Sequence, residues 1–405
     1  MTKLLIAVAF LAAAAAPSFA AGKIVIALTG PYSGGSSGMG ISMRDGAKLA
    51  AAEINAAGGI EVGGQKMLIE TVEKDDKGDN TAGAAVAQEV SQMPGLSGVI
   101  GTVNTGIAIN GDHFYQEKGI TKIITPASGT GSMTPWTQGG GVKDLSIFRF
   151  SAYDGIQSAM VIEEAIRLGL KKVAILTDST NYGVSGYHDL YKQNTAQGNK
   201  LQVVATDTFN IGDKDMTKQV QKAKDAGAQA ILIWGIGPEL AAVAKSMAGI
   251  GYKARLIGGW PLSMSSFVDN AGAMGNGALM PQSWIEEGIT PRSKKFIADY
   301  KKAYGEMASP MSAAEGYDAM LIFAAAVKQA GSADTRKIKD ALENLEAPVK
   351  GVIATWNHPY RKWDPTDETT HEAFKRDQVV MGEVENGKVV FAHKEDKARL
   401  IAEAR

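Results

Sequence analysis

Cysteine is absent from this chain of 405 residues. That excludes disulfides, thiolate metal sites and cysteine nucleophiles, so the stability of the fold rests on its core. A charge bias is missing too: 42 Lys and Arg stand against 43 Asp and Glu. No basic cluster interleaved with aromatics occurs, which argues against nucleic acid as a partner. Histidine is scarce, with five in the chain, and no two have H-x-x-x-H or H-E-x-x-H spacing. His358, Asp364 and His371 share one polar stretch, but without ligand spacing it reads as a solvated tail, and neither a metal nor a cofactor is expected. Beyond the first 20 residues no apolar run approaches the roughly 20 residues needed to cross a bilayer.

The N-terminus carries the clearest signal of what is present. Met1 to Ala20 has Lys3 near its start, an apolar run from Leu4 to Ala16, and Ser18-Phe19-Ala20 as a small-x-small cleavage site. A cleaved export signal follows, with the mature chain expected to begin near Ala21. Hydrophobic residues make up 45% of the sequence, enough at this length for a large core and more than one domain.

The mature part alternates strand and helix patterns. Lys23–Thr29 is a β-branched apolar run that opens into the flexible loop Gly30 to Gly38, and from Met43 the apolar residues follow the helical period until Gly58-Gly59. Met67–Val72 is the next strand, Ala82–Met93 a helix, and Val99–Val103 a third strand. This is the pattern of a parallel sheet with helices on its faces. The strand at Val99 ends at Asn104-Thr105, residues that favour a helix N-cap, and Gly119 sits where a C-terminal glycine turns the chain. A further strand, Ile120–Ile124, runs into Thr125-Pro126-Ala127-Ser128-Gly129-Thr130. If these two strands are parallel neighbours, both loops open at the carboxyl edge of one sheet and offer hydroxyls, free amides and a helix N-terminus to a small anion. Ordinary βα turns account for the same residues.

Near Leu145–Phe150 the pattern starts over. Val173–Leu176 ends at Asp178-Ser179-Thr180-Asn181-Tyr182-Gly183, Ile231–Trp234 opens at Gly235-Ile236-Gly237-Pro238-Glu239, and Ala254–Ile257 leads to Gly258-Gly259-Trp260-Pro261. Three helical segments follow, at Arg292–Tyr304, Ala313–Ala330 and Thr335–Leu345, read as returning to cover the first lobe. Gln378–Val384 and Lys388–Ala392 flank a hairpin turn at Glu385-Asn386-Gly387.

Export signal, KIVIALTGPYSG, GAKLAAAEINAAGGI, VIG before Thr105, ITPAS, DSTNYG and WGIGPEL together resemble the periplasmic solute-binding proteins of ABC importers, of the branched-chain amino acid (leucine/isoleucine/valine) type. The likeness covers nearly the whole mature chain in order. It implies an α/β fold of two doubly wound parallel-sheet lobes joined by three crossovers, near Phe148–Ala152, Met280–Ser283 and Thr355–His358. The first lobe would then be residues 21–148 plus 282–356, and the second 149–281 plus 357–405. It implies a periplasmic receptor, not an enzyme, whose partners are a small carboxylated solute and an inner-membrane ABC permease. The ligand carboxylate falls to Thr105, Ala127, Ser128 and Gly129, and the tyrosine of the second lobe to Tyr182. Two positions depart from the family pattern. Trp260 stands where amino-acid binders carry an acid for the ligand ammonium, and Met39 where the first loop can carry an aromatic.

Several other readings bear on the site. Asp154 and Gln157 could line the cleft or start a helix, and Asp154 or Asp178 could replace the missing acid. Among the tryptophans, Trp234 is assigned to the core and Trp260 to the cleft, while Trp136 and Trp284 fit core or interface. With tryptophan in place of the acid, the far end of the ligand need not be an α-amino group. A serine esterase using Gly34-Gly35-Ser36-Ser37-Gly38 is the rival, since the loop fits G-x-S-x-G, but no histidine segment has a comparable loop context. Gly235 and Gly237 match part of a dinucleotide fingerprint, but Leu240 replaces its third glycine.

Overall fold

The structure is a computed structural model and describes residues 22–137 and 141–403; the export signal lies outside them. The first lobe runs β1 (Lys23–Gly30), α1 (Ser37–Ala56), β2 (Ile60–Val62), β3 (Gln65–Asp75), α2 (Asn80–Ser91), β4 (Leu96–Ile100), α3 (Thr105–Lys118), β5 (Lys122–Ile124) and β6 (Ile147–Arg149). The second runs α4 (Asp154–Arg167), β7 (Lys172–Asp178), α5 (Asn181–Ala196), β8 (Gln202–Phe209), α6 (Thr217–Asp225), β9 (Ala230–Trp234), α7 (Glu239–Gly249), β10 (Arg255–Gly258), α8 (Ser265–Ala271) and β11 (Leu279–Gln282). Then come α9 (Pro291–Tyr304), α10 (Pro310–Ala330), α11 (Thr335–Glu343), the two-residue strands β12 (Val349–Lys350) and β13 (Thr355–Trp356), β14 (Val380–Glu385), β15 (Lys388–Phe391) and α12 (Lys394–Glu403).

β1, β4, β7 and β9 are buried along most of their lengths, because helices cover both faces of each sheet. That is why they read as continuous apolar runs. The first sheet has the order β2-β3-β1-β4-β5-β6 and the second β15-β14-β11-β10-β9-β7-β8. β2 is antiparallel to β3, and β14 and β15 are antiparallel additions to β11; the other pairings within these two sheets are parallel. In chain order within each lobe, the five parallel strands lie second, first, third, fourth, fifth. The repeat seen in the sequence is therefore a repeat of topology, and each sheet has a switch point beside its first strand: β1/β4 in one lobe, β7/β9 in the other. Ligands of doubly wound sheets bind at such points.

α9 and α10 pack on α1. Gly46 and Gly316 make the α1–α10 contact possible, since a Cβ on Gly46 would lie 2.0 Å from the Ala313 carbonyl oxygen and one on Gly316 2.1 Å from that of Met43. The second crossing leaves β11, where the buried Glu315 of α10 accepts from Ser283 Oγ at 2.7 Å. One helical turn on, Asp318 accepts from the Val352 and Ile353 amides and from Trp356 Nε1, at 2.6, 3.0 and 2.9 Å.

The third crossing falls later than Thr355–His358. The chain stays on the edge of the first sheet, where the Ala373 amide donates to the Arg149 carbonyl at 3.0 Å, and joins the second sheet only at Val380. Nor is this stretch a solvated tail. Trp356, Tyr360, His371 and Phe374 are buried, His371 stacks on Phe148 at 3.9 Å between ring centres, and its ring nitrogens face the Ile147 carbonyl and the Glu343 carboxylate. Aromatic burial holds the segment to β6 where no helical or strand period announces it.

Candidate functional site

A cavity of about 460 Å³ opens where the two switch points face each other. The loops after β1 and β4 contribute Ser36, Met39, Asn104 and Thr105, and the loops after β7 and β9 contribute Thr180, Tyr182, Ile236 and Glu239. Ser128 and Trp260 close it from the β5 and β10 loops.

One wall is suited to an anion. Asn104 is the N-cap residue of α3, but its side chain makes no capping bond; its Oδ1 instead accepts from Ser36 Oγ at 3.4 Å. The first amides of a 14-residue helix are thus left open beside the cavity, together with the positive end of its dipole. The loop behind Ser128 is shaped from its far side. Ser151 Oγ donates to the Ala127 carbonyl (2.8 Å), the Asp154 amide to the Ser128 carbonyl (2.8 Å), and Arg149 Nη1 to the Gly129 carbonyl (2.8 Å). With three carbonyls turned toward the first crossover, the Ser128 and Gly129 amides find no acceptor among the described residues. Arg149 is held in turn by the buried carboxylate of Glu372. A buried pair of this kind fixes geometry more than it adds stability.

Five of the residues singled out in the sequence line the cavity: Thr105, Ser128, Tyr182, Trp260 and Met39. Ala127, Gly129 and Asp154 lie behind the wall. The Ala127 amide is spent on the Thr102 carbonyl at 3.2 Å, and Gly129 serves as a packing seat, since a Cβ there would stand 2.3 Å from Thr105 Oγ1. Asp154 is fully buried and accepts from Trp234 Nε1 at 3.1 Å. Burial, reinforced by the charge of Asp189, pushes its carboxyl up to about 8. Asp178 is also occupied, by the amides of Thr180, Gly183 and Ile236 and the Thr180 hydroxyl. It ties the start of α5 to the β9 loop.

Trp260 does enter the cleft, as its position beside two glycines suggests. Its indole N–H donates to Ser128 Oγ at 3.1 Å, and its amide donates to Gln157 Oε1 at 3.0 Å. Trp234 is a core residue, and Trp136 and Trp284 are buried away from this cavity. Two more bonds join the lobes across the opening, Asn80 Nδ2 to Asn181 Oδ1 (3.4 Å) and Thr130 Oγ1 to Asp189 Oδ2 (2.7 Å). The lobes are closed on each other.

Ser36 is no nucleophile elbow. Among the described residues its hydroxyl meets Asn104 and no histidine, and the loop 31–35 separates it from β1, where an elbow needs a sharp strand-to-helix turn. What sequence reasoning missed is Glu239. It follows a strand end, as the named residues do, yet the glycines around it point to a nucleotide motif instead.

A closed pair of doubly wound lobes with one cavity between their switch points is the architecture of a type I solute-binding protein. The sequence profile of the periplasmic binding protein family matches residues 23–374, and the chain belongs to that family. It is similar to the leucine-, isoleucine-, valine-, threonine-, and alanine-binding protein of Pseudomonas aeruginosa, 29% identical over 85% of this chain and 91% of the relative. It is also similar to Leu/Ile/Val-binding protein homolog 3 of Brucella melitensis, 28% identical over 89% of this chain and 97% of the relative. A solved leucine-binding protein from Thermotoga maritima shares the fold with a TM-score of 0.77 and 24% identity, covering 91% of this chain and 98% of that one. These relatives are named as binding proteins, and none of the three as an esterase.

Proposed function

We propose that this chain is the solute-binding receptor of an ABC importer, working in the periplasm and delivering its cargo to an inner-membrane permease. The cargo is an amino acid of the branched-chain type or a related small carboxylate. The observation that carries this reading is the anion wall of the cavity: the uncapped start of α3 beside the Ser128 loop, whose carbonyls all point the other way. The names of the relatives from Pseudomonas aeruginosa and Brucella melitensis agree with it. In this reading Thr105 and Ser128 hold the carboxylate, Tyr182 and Trp260 close over it from the other lobe, and Met39 packs the apolar part. The moving units are the two lobes, and the hinge is the set of three crossings.

A thermal-shift panel of amino acids and organic acids tests it. A solute that binds only the native state raises the melting temperature, with a stabilisation of about 2.7 kcal/mol at one hundred times its Kd. The receptor account expects at least one carboxylated solute to do so, and expects no ester turnover. Turnover lost in Ser36→Ala, with no solute stabilising the protein, would sink it.

A further inference from the structure

A second cavity, of about 800 Å³, lies along the crossings and shares no lining residue with the cleft. On the first-lobe side its wall is the start of α9, residues 289–293, and the β12–β13 hairpin. On the second-lobe side it is Val380 of β14, Phe391 of β15 and Leu400 of α12. Ser283, Trp284 and Ile285 of the second crossing join the two. The volume falls within the roughly 300 to 1,000 Å³ typical of small-molecule sites, and the lining has their composition, apolar side chains with a few polar groups among them. α12 forms part of the wall while burying none of its residues, so it covers the space without filling it.

The polar groups of the chamber are mostly donors. Trp284 is 7% exposed and packs edge-on against Phe296 at 5.6 Å between ring centres. The indole N–H groups of Trp234, Trp260, Trp356 and Trp363 each donate to a protein oxygen. That of Trp284 meets no acceptor among the described residues, yet it is not sealed from water as the Trp136 N–H is, so it keeps contact with the space that Trp284 lines. An indole N–H can only donate, and a bound acceptor would complete it. Charge points the same way. Arg292 and Lys350 are exposed and form no ion pair among the described residues, while Arg399 is paired with Glu403. Against these two free cations stands one unpaired acid, the exposed Asp377. The chamber therefore offers positive charge and an N–H donor beside an apolar wall.

We propose that this chamber is a second binding site, for a monocarboxylate with an apolar body, and that its occupant favours the closed molecule. The carboxylate meets Arg292, Lys350 and the Trp284 N–H, and the body lies against Val380, Phe391 and Leu400, so one ligand touches both lobes. The chamber has this shape in the closed arrangement, and a ligand that fits one arrangement of the lobes better than another draws the equilibrium towards it. The inference goes beyond the receptor reading and does not depend on the solute of the cleft.

Proton–nitrogen NMR of the isotope-labelled mature protein tests it, with octanoate and octan-1-ol as probes and the indole resonances of Trp284 and Trp260 assigned by Trp284→Phe and Trp260→Phe. Octanoate at millimolar concentration or below should shift the Trp284 resonance, at least about tenfold more tightly than octan-1-ol does. The double variant Arg292→Gln/Lys350→Gln, two exposed changes that leave the core alone, should weaken that response at least about tenfold. Small-angle scattering with saturating octanoate should show a smaller radius of gyration than without it, and the double variant should need correspondingly more octanoate for the same change. A Trp284 resonance that stays still, or movement of Trp260 alone, overturns the site while leaving the receptor standing. Equal affinity for octan-1-ol, or an unchanged response in the double variant, overturns the carboxylate class. An unchanged radius in protein whose Trp284 resonance has shifted overturns the preference for the closed form.

Discussion

Single side chains decide what this cleft accepts, and their chemistry is unevenly legible. Trp260, Tyr182, Thr105 and Ser128 sit at strand ends, where a doubly wound sheet exposes its loops, so sequence position alone brings them to the cavity. Ala127 resembles its neighbours in sequence, but its amide is consumed by Thr102, a pairing that depends on how two loops cross. Asp154 reads equally as a cleft residue or a helix start; it begins α4 as a fully buried acid, and that burial has a measurable sign. Its carboxyl keeps its proton to about pH 8 in the native state but loses it near the ordinary value of 3.8 when unfolded. Between those limits the native state binds more protons, so stability falls as pH rises and levels off above the higher value. Each tenfold in proton affinity is worth about 1.4 kcal/mol. Asp76 and Asp318, pushed up to about 6 by burial, act lower in the range. Urea denaturation between roughly pH 6.5 and 8 should show a declining stability in wild type and a flatter profile in Asp154→Asn, with other carboxyls raised by burial, Glu315 foremost, supplying the remaining slope. Parallel profiles would remove Asp154 as the cause.

Elements with a long apolar period are readable, and short or exposed ones are not. β1, α1, α3 and α10 follow from apolar pattern and terminal glycines, and Gly119 ends α3 at φ 63° as its position implies, whereas β4 lies at Leu96–Ile100, earlier than the apolar run Val99–Val103 suggests. β2 has three residues and α8 seven, too few to establish a period, and α12 buries none of its residues. The expected cap at Asn104 is present as a position but not as a bond, because its side chain turns to Ser36 and leaves the helix end to the cleft. The start of α3 and the Ser128 loop are pressed together through Gly129 and Thr105, and this contact offers a test at the scale of elements. Gly129→Ala would put a methyl group 2.3 Å from Thr105 Oγ1 and push the helix start from the loop. A stability loss of about 1–3 kcal/mol is expected from overpacking. Solute affinity should fall at least about tenfold beyond that, as a 1.4 kcal/mol loss in the anion wall would give. Denaturation and calorimetry on the same variant separate the two effects, and unchanged affinity in a destabilised protein would dissociate the wall from binding.

At the scale of the whole molecule, the duplication is legible because the same strand-loop-helix order recurs after Phe150. The point of the third crossing is not, because Trp356 to Phe374 is held by aromatic stacking and by the Arg149–Glu372 pair instead of a regular period. The second crossing is braced by a buried acid on α10, Glu315 against Ser283, and Asp318 holds Trp356 within the first lobe. The cleft itself is spanned by few bonds among the described residues, those of Trp260, Asn80 and Thr130 and the Ser265 amide to the Ala308 carbonyl at 2.9 Å. A braced crossing beside a sparsely bonded cleft suits hinge motion, with the solute supplying the contacts that hold the closed state. Small-angle scattering tests this most directly, on the mature protein without solute and with a saturating amount of the solute that gives the largest thermal shift. The account predicts a smaller radius of gyration with solute, at the value calculated from this closed structure. Identical curves with and without a bound solute would contradict it.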